Sequence, residues 1–256
     1  MKLDRLLPFA TLAAVLIGWE ALVRLAHIPH YTLPAPSLVL QTLAANFGSL
    51  AASWWFTLKI TLGALALACA GGVLIASAFA LSSRLERALF PVAVVLQVTP
   101  VVAIAPLILI YVESTTAALL LCAWIVAFFP ILSNTVIGLR AADANLRDLF
   151  RLYRATPWQR LRLLRVPSAL PYFVAGLKVS GGLSLIGAVT AEMVAGAAGR
   201  ETGLASRILE ASFRTETPKM FAALLLLVLT GVLIFWSFEA LSKALLGRWH
   251  ASEQPD

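Results

Sequence analysis

Six long apolar runs, separated by short charged segments, are the feature that most constrains the fold of this chain. A helix needs about 20 mostly apolar residues to cross the hydrocarbon core of a bilayer, which is about 30 Å thick. The runs lie at about residues 8–26, 54–81, 90–111, 115–139, 171–194 and 220–246. Charged residues make up only 13% of the chain, against about 25% in soluble proteins. We therefore expect an all-α membrane protein with six transmembrane helices, in a single domain over residues 1–256.

The positive charges indicate which side of the membrane each loop occupies, because short cytoplasmic loops carry an excess of lysine and arginine. In a six-span arrangement thirteen of these residues fall on one side, namely Lys2, Arg5, Arg84, Arg87, Arg140, Arg147, Arg151, Arg154, Arg160, Arg162, Arg165, Lys243 and Arg248. The other side has a stretch of balanced charge at residues 200–219. Both termini are therefore expected in the cytoplasm. The first run lacks a small-x-small cleavage site, so we expect it to remain as a helix.

The loop between the fourth and fifth runs, residues 140–170, is the most basic part of the chain, with seven arginines against two aspartates. Loops of this length in compact proteins are usually functional or structured. Apolar residues at helical spacing after Asp143, a candidate N-cap, predict a helix over residues 144–155. The alternative is an amphipathic segment that lies on anionic lipid.

A sharp turn is predicted in the middle of this loop. The turn counts against a simple helix on the lipid surface, because lipid binding does not require a turn. The sequence "TPWQ", residues 156–159, is a capping-box pattern with proline at the first helical position, which predicts a second helix over residues 157–166. Pro167 and Pro171 are expected to end that helix. The loop should thus contain a rigid two-helix bracket, defined here as residues 144–166.

The bracket and the run after it resemble the cytoplasmic coupling loop and fifth helix of bacterial ABC importer permeases. The similar stretch is "LRDLFRLYRATPWQRLRLLRVPSALPYFVAGLKVSGGLSLIGAVTAEMVAG", residues 146–196. Ala155-Thr156 stands where the family has Ala-Ser, and Arg154 stands where it has glycine. If that glycine turns the chain with a positive φ, we expect Thr156-Pro157 to set the turn here instead.

Four strings resemble the nitrate, sulfonate and taurine branch of that family, in the same order along the chain. They are "LPAPS" (residues 33–37), "VTPVVAIAPL" (98–107), "FFPILSNTVIGLR" (128–140) and "AEMVAG" (191–196). The resemblance implies a type I ABC importer permease fold whose cytoplasmic coupling loop is residues 140–170.

The same resemblance implies the partners and the setting of the chain. It would be a transport subunit of the bacterial inner membrane and not an enzyme. Its partners would be a second permease copy, two cytoplasmic ATPase subunits and an extracytoplasmic substrate-binding protein. ATP and Mg²⁺ would be bound by the ATPase subunit, and no cofactor would be bound by this chain.

In the family, the coupling loop docks in a groove of the ATPase subunit and transmits its closure to the spans. Apolar side chains suit such a groove, and arginines suit acidic groups at its rim. The residues assigned to coupling are Leu149, Phe150, Arg151, Tyr153, Arg154, Ala155, Thr156, Pro157, Trp158, Leu161 and Pro167.

Polar residues within apolar spans usually face a cavity or a partner. A proline inside a span frees a backbone carbonyl, so Pro91, Pro100 and Pro106 predict a kinked third span beside a pathway. The candidates for the translocation pathway on this basis are Gln97, Thr99, Pro100, Asn134, Ser180 and Glu192. For Glu192 a position at the outer boundary is the alternative. The stretch at residues 196–218 has an amphipathic helical pattern and would form a rim for the binding protein. Close helix packing is the role expected for Gly176, Gly181, Gly182 and Gly187.

Other function classes fit the sequence less well. The chain has no Gly-x-x-x-x-Gly-Lys-Ser/Thr phosphate loop, so ATP hydrolysis requires another subunit. A membrane enzyme needs a cluster of titratable residues, but the three histidines and two cysteines have no metal-ligand spacing. A self-sufficient secondary transporter usually shows internal repeats, and nucleic-acid binding needs an exposed basic domain; neither is evident. A sulfonate-, taurine- or nitrate-like anion and a pyrimidine-type vitamin precursor both remain open as the solute.

Overall fold

The computed structural model describes residues 2–200 and 203–246, with side chains from residue 7 onward. The side chains of Lys2 and Arg5, residues 201–202 and Arg248 lie outside the described part. Within it the chain is helical, and the helices are α1 Lys2–Leu25, α2 Pro36–Ala45, α3 Phe47–Leu81, α4 Ser83–Val98, α5 Val101–Tyr111, α6 Thr115–Arg140, α7 Ala144–Leu152, α8 Pro157–Arg160, α9 Val166–Ala197, α10 Leu204–Phe213 and α11 Thr217–Leu246. A π-helical turn, Leu161–Arg165, joins α8 to α9.

In the described part of the chain, five helical segments are long and apolar enough to cross a membrane, and the bent pair α4 and α5 makes six if it is taken as one span. The five are Leu7–Leu25 of α1, α3, α6, Pro157–Ala197 and α11. The predicted all-α architecture is therefore confirmed, with the bent pair as the third of six spans and with the kink that its prolines predict. α2 and α10 are short helices at the end of the bundle opposite the bracket.

The third predicted span, residues 90–111, is not one helix. α4 begins earlier, at Ser83, and a bend of 100° separates it from α5. At the bend Thr99 and Pro100 both have extended backbones, with ψ values of 119° and 117°. Pro100 lacks an N–H, and its ring disfavours a helical conformation for Thr99, so the helix ends there.

The centre of the bundle is α6, which packs between α3 and α9. Small residues let these helices approach closely: a Cβ on Gly187 would lie 2.9 Å from the Cα of Ala123, and one on Gly176 would lie 2.8 Å from the carbonyl oxygen of Pro130. Gly181 packs against Phe238 of α11 in the same way. Helix packing is thus confirmed as the role of three of the four predicted glycines, whereas Gly182 has no such neighbour. Because α9 has this close fit to α6, the two helices are expected to move together.

Candidate functional site

The two start signals predicted for the bracket are both present. Asp143 accepts hydrogen bonds from Asn145 N at 2.8 Å and Leu146 N at 3.2 Å, which caps α7. Thr156 Oγ1 accepts from Gln159 N at 3.2 Å, while Gln159 Oε1 accepts from Thr156 N at 2.8 Å. This reciprocal pair is a complete capping box, so α8 begins where the sequence predicted.

The end of α7 differs from the prediction. The helix stops at Leu152 and not at residue 155, because Arg154 adopts the left-handed conformation with a φ of 48°. Its N–H donates to Arg151 O at 2.9 Å, and Ala155 N donates to Phe150 O at 3.0 Å. These two bonds form a Schellman motif, which usually has glycine at this position. The expectation that Thr156-Pro157 would set the turn in place of Arg154 was therefore wrong.

Replacing Arg154 with glycine should stabilise the bracket. The left-handed conformation costs an L-residue roughly 1–2 kcal/mol, and part of that gain is offset by the entropy of glycine in the unfolded chain. We expect a net gain of about 0.5–1 kcal/mol, measured as a higher midpoint of thermal unfolding in detergent. Arg154→Ala is the control, because it removes the same charge but keeps the strained φ. An equal gain in both variants would show that charge, and not backbone strain, is the cause.

The prolines after the bracket do not end its second helix, contrary to the prediction. α8 continues through the π-helical turn into α9, and Pro167 and Pro171 both lie within helical backbone. The wider turn lets Val166 N–H reach Leu161 O, and Pro167, which has no N–H to donate, follows directly after this turn. The result is one helical segment of 41 residues, Pro157–Ala197, that carries the bracket directly into a span.

The bracket presents an apolar surface on its outer side. Tyr153 is 80% exposed and Trp158 is 62% exposed. Beside them a concavity of about 260 Å³ is lined by Leu149, Phe150, Tyr153, Ala155, Gln159 and Leu163. Trp158 and these six residues together are called the apolar face below. Arg151, Arg154, Thr156, Pro157 and Pro167 are also exposed.

Leu161 does not belong to this exposed surface. It is only 4% exposed and packs in a buried cluster with Phe79, Leu139 and Ala169. Its assignment to a docking surface together with Trp158 does not fit this burial, because the turn from α8 into the π-helical segment directs Leu161 towards α3 and α6. Leu161 therefore attaches the bracket to the bundle.

The six pathway candidates fall into two separate groups. Gln97 and Pro100 are exposed at the bend between α4 and α5, and the hydroxyl of Thr99 donates to Val95 O at 2.7 Å. The other three lie among packed helices. The hydroxyl of Ser180 is fully buried and donates to Ala127 O at 2.7 Å across the α6–α9 contact.

The remaining two of that packed group are Asn134 and Glu192. The Asn134 amide donates to Pro130 O at 2.8 Å on its own helix. Glu192 is 0% exposed at the end of the bundle opposite the bracket. Of the six candidates, only Gln97 and Pro100 at the bend are therefore exposed in this conformation.

Comparison with known proteins decides the family. The family described as "Binding-protein-dependent transport system inner membrane component" matches residues 68–247, more than half of the chain. The chain belongs to this family. It is a permease subunit of an ABC importer and a multi-pass component of the inner membrane.

Two relatives that match over most of their length, and one solved structure, are similar to this permease. The riboflavin transport system permease protein RibX of Chloroflexus aurantiacus is 35% identical over 94% of this chain and 89% of its own length. The formylaminopyrimidine transport permease protein ThiX of Halalkalibacterium halodurans is 31% identical over 91% of each chain. The methionine ABC transporter MetNI, in an inward-facing conformation, matches with a TM-score of 0.65 at 19% identity, over 76% of this chain and 95% of that one. This likeness confirms the predicted type I importer fold.

Glu192 of the permease holds α10 against the spans. Its Oε2 accepts from Thr57 Oγ1 and from Ala205 N, both at 3.1 Å. Thr57 Oγ1 in turn accepts from Leu204 N at 2.9 Å. The first amides of a helix have no partner within it, so the two side chains together cap α10. Gly203 lies so close to both that a Cβ would overlap them.

Thr57 was not found by sequence reasoning, although a signal was present. Ser53, Thr57 and Thr61 follow one another at intervals of four residues on the otherwise apolar α3, and all three are buried. That spacing places them on one face of a helix. A polar stripe of this kind indicates a face that meets polar groups of a neighbouring element.

A second carboxylate caps the other short helix at this end of the permease. Glu20 of α1 accepts from Ser37 N at 3.0 Å and from Ser37 Oγ at 2.7 Å. Pro36, which is part of "LPAPS", takes the first position of α2, where proline is favoured. Sequence reasoning missed Glu20 as well, because the cap comes from a different helix.

Several other charged groups form surface and interhelical pairs. Lys178 of α9 lies 2.9 Å from Glu239 of α11, and Lys243 lies 3.4 Å from the same carboxylate. On α10, the hydrogen bond from Arg207 lowers the pKa of Glu210 from its usual value, and Arg214 adds to this effect. Among residues 2–200 and 203–246, no group of three His, Cys, Asp or Glu side chains could hold a metal ion.

Proposed function

We propose that two copies of this permease, as single transmembrane domains, work with two ATPase subunits and a substrate-binding protein to import a small solute. The observation that carries the proposal is the exposed apolar face of the bracket, which is continuous through Pro157–Ala197 with a span. Exposed aromatic side chains beside a concavity are typical of protein docking surfaces. The apolar face is thus the surface on which an ATPase subunit would dock.

The packing of α9 supports a mechanical role for the bracket. Conformational changes are carried by rigid elements that move as bodies. No loop interrupts the helical path from α8 to Ala197, and α9 fits closely against α6 through Gly176 and Gly187. A displacement of the bracket would therefore move α9 and α6 together, which is the motion that alternating access needs.

The orientation follows from the same surface. The arginines of the bracket lie at one end of the bundle, together with Arg84, Arg87 and Arg140. Under the positive-inside rule this end would be cytoplasmic, and we propose that both termini are on that side as well. The capped helices α2 and α10 then face outward, where they offer a firm rim to a binding protein.

The bend between α4 and α5 is the part of the pathway that we propose to contact solute. At a helix break the last carbonyls of one helix and the first amides of the next have no partner within their helices. Such backbone is tolerated at membrane depth where it is buried in protein or lines a water-filled cavity. Gln97 and Thr99 add side-chain donors and acceptors at the same place.

We propose a pyrimidine-type vitamin precursor or a related heteroaromatic compound as the solute. The support comes from RibX and ThiX, whose names state riboflavin and formylaminopyrimidine transport and which match the permease over nearly its full length. A sulfonate-, taurine- or nitrate-like anion is the second candidate, favoured by "LPAPS" and "AEMVAG". The test is to copurify the permease with the ATPase and binding protein encoded beside it, and to measure which solute stimulates ATP hydrolysis in liposomes. Failure to copurify with an ATPase would contradict the proposal.

Replacing Trp158 with aspartate should release the ATPase subunit and leave the permease folded. Trp158 is 62% exposed, so the change adds no buried charge, but it removes an aromatic anchor of the kind that contributes about 2 kcal/mol or more at interfaces. We expect at least about thirtyfold weaker association, measured by copurification and light scattering. Trp158→Phe keeps the apolar anchor and is the control. Full association of Trp158→Asp would show that the apolar face is not the docking surface.

A further inference from the structure

Four arginines of the bracket surround one small cavity on its inner side, towards the bundle. The cavity has a volume of about 50 Å³ and is lined by Arg147, Arg151, Arg160, Leu164 and Arg165. Two of the guanidinium groups are fixed by backbone carbonyls. Arg160 Nε donates to Ala155 O at 2.9 Å, and Arg165 Nη1 donates to Ala80 O at 2.5 Å. Each guanidinium has five N–H donors, so both keep several for another partner.

The positive charge around this cavity is only partly balanced by acidic side chains. Asp148 pairs with Arg151 at 3.2 Å, and Glu86 pairs with Arg140 in an adjoining cavity that Arg147 and Arg165 also line. Arg147 itself has no acidic partner in the part of the chain that the structure describes. Like charges repel, and an anion bound between them would reduce that repulsion. The grouping of four guanidinium groups therefore favours a bound anion.

The size of the cavity and the donor geometry favour a phosphate group. A cavity needs roughly 10–15 Å³ to hold one water-sized group, so 50 Å³ has room for about three or four, the number of oxygens on a phosphate. The planar fork of a guanidinium matches two phosphate oxygens at once. Leu164, which is buried, closes the base of the cavity.

The position of the cavity separates it from the apolar face. Residues in a helix advance by about 100° each, so Arg147 and Arg151 lie on one side of α7 while Leu149 and Tyr153 lie on the opposite side. An ATPase on the apolar face would not reach the inner cavity.

At this end of the spans, phospholipid headgroups are the nearest source of phosphate groups, and basic pockets of this kind bind anionic headgroups. We propose that Arg147, Arg151, Arg160 and Arg165 bind the phosphate of one anionic phospholipid, which holds the bracket to the membrane surface.

The test uses the full-length permease in detergent micelles, titrated with phosphatidylglycerol and observed by native mass spectrometry. Arg147→Gln combined with Arg151→Gln should weaken phosphatidylglycerol binding about tenfold to thirtyfold, since each arginine near a headgroup contributes about 1 kcal/mol. Arg154→Gln combined with Arg162→Gln is the matched control: it removes the same charge from exposed positions of the same loop, outside the cavity. Its binding should fall less than about threefold, and phosphatidylcholine should bind weakly to all forms.

Three results would overturn the proposal. An equal loss in both double variants would show a diffuse basic surface without a defined site. Displacement of phosphatidylglycerol by inorganic phosphate at equal concentration would show that the cavity takes free phosphate and not a lipid. Loss of ATPase copurification with unchanged lipid binding in the Arg147 and Arg151 variant would assign these arginines to acidic groups of the ATPase. None of these results depends on the solute, so each is distinguishable from a failure of the proposed transport function.

Discussion

A Leu161→Asp permease is expected to fail to fold, whereas Leu163→Asp, two residues away, is expected to fold. Leu161 is 4% exposed and belongs to the buried cluster with Phe79 and Leu139, while Leu163 is 62% exposed. Aspartate at residue 161 would bury an unpaired charge and also leave a cavity. Each of these effects is among the largest that a single substitution can have, and together they cost about 4–5 kcal/mol or more. That is a large part of the stability of a typical domain.

The two aspartate variants distinguish the side chain that attaches the bracket to the bundle from one on the apolar face, where the ATPase subunit would dock. Expression and size-exclusion chromatography in detergent measure folding, and Leu161→Asp should give aggregated or degraded protein. Leu163→Asp should elute as the wild type does, with the same thermal midpoint within about 1–2 °C, because surface changes usually alter stability by less than about 0.5 kcal/mol. A well-folded Leu161→Asp would show that the bracket is not attached to the bundle through this side chain.

The parts of the bracket that the sequence predicted correctly depend on near neighbours. Asp143 and the Thr156–Gln159 capping box bond to groups two or three residues away, so their pattern is complete within a few letters. The left-handed turn at Arg154 is equally local, but arginine conceals it, because the residue type that normally marks the turn is glycine. Exposed Trp158 and buried Leu161 look alike in sequence, and only the position of α3 and α6 distinguishes them.

The prolines show why a kink in the third span could be predicted but its exact position could not. Pro91, Pro100 and Pro106 all occur in one apolar run, yet only Pro100 breaks the helix, and Pro91 and Pro106 are accommodated inside α4 and α5. Pro171 is accommodated inside α9 in the same way. A proline frees backbone groups at each of these places, and whether the chain bends depends on which neighbours can satisfy them. That information lies in the packed structure.

Among the pathway candidates, Glu192 is the one whose role the structure changed most, from the pathway to the capping of α10. Its partner Thr57 is 135 residues earlier in the chain, so sequence reasoning did not find the contact. Glu192→Ala should release α10 from the spans, because Ala205 N and the Thr57 hydroxyl would lose their buried acceptor and a cavity would remain. Hydrogen bonds to a carboxylate contribute roughly 1.5–3 kcal/mol each, so we expect a loss of about 3–5 kcal/mol and rapid tryptic cleavage at Arg207. Glu210→Ala is the control, because its pairs with Arg207 and Arg214 are partly exposed and such pairs contribute less than about 1 kcal/mol. Unchanged protection of Arg207 in Glu192→Ala would contradict the capping role, and loss of transport with α10 still protected would return Glu192 to the pathway.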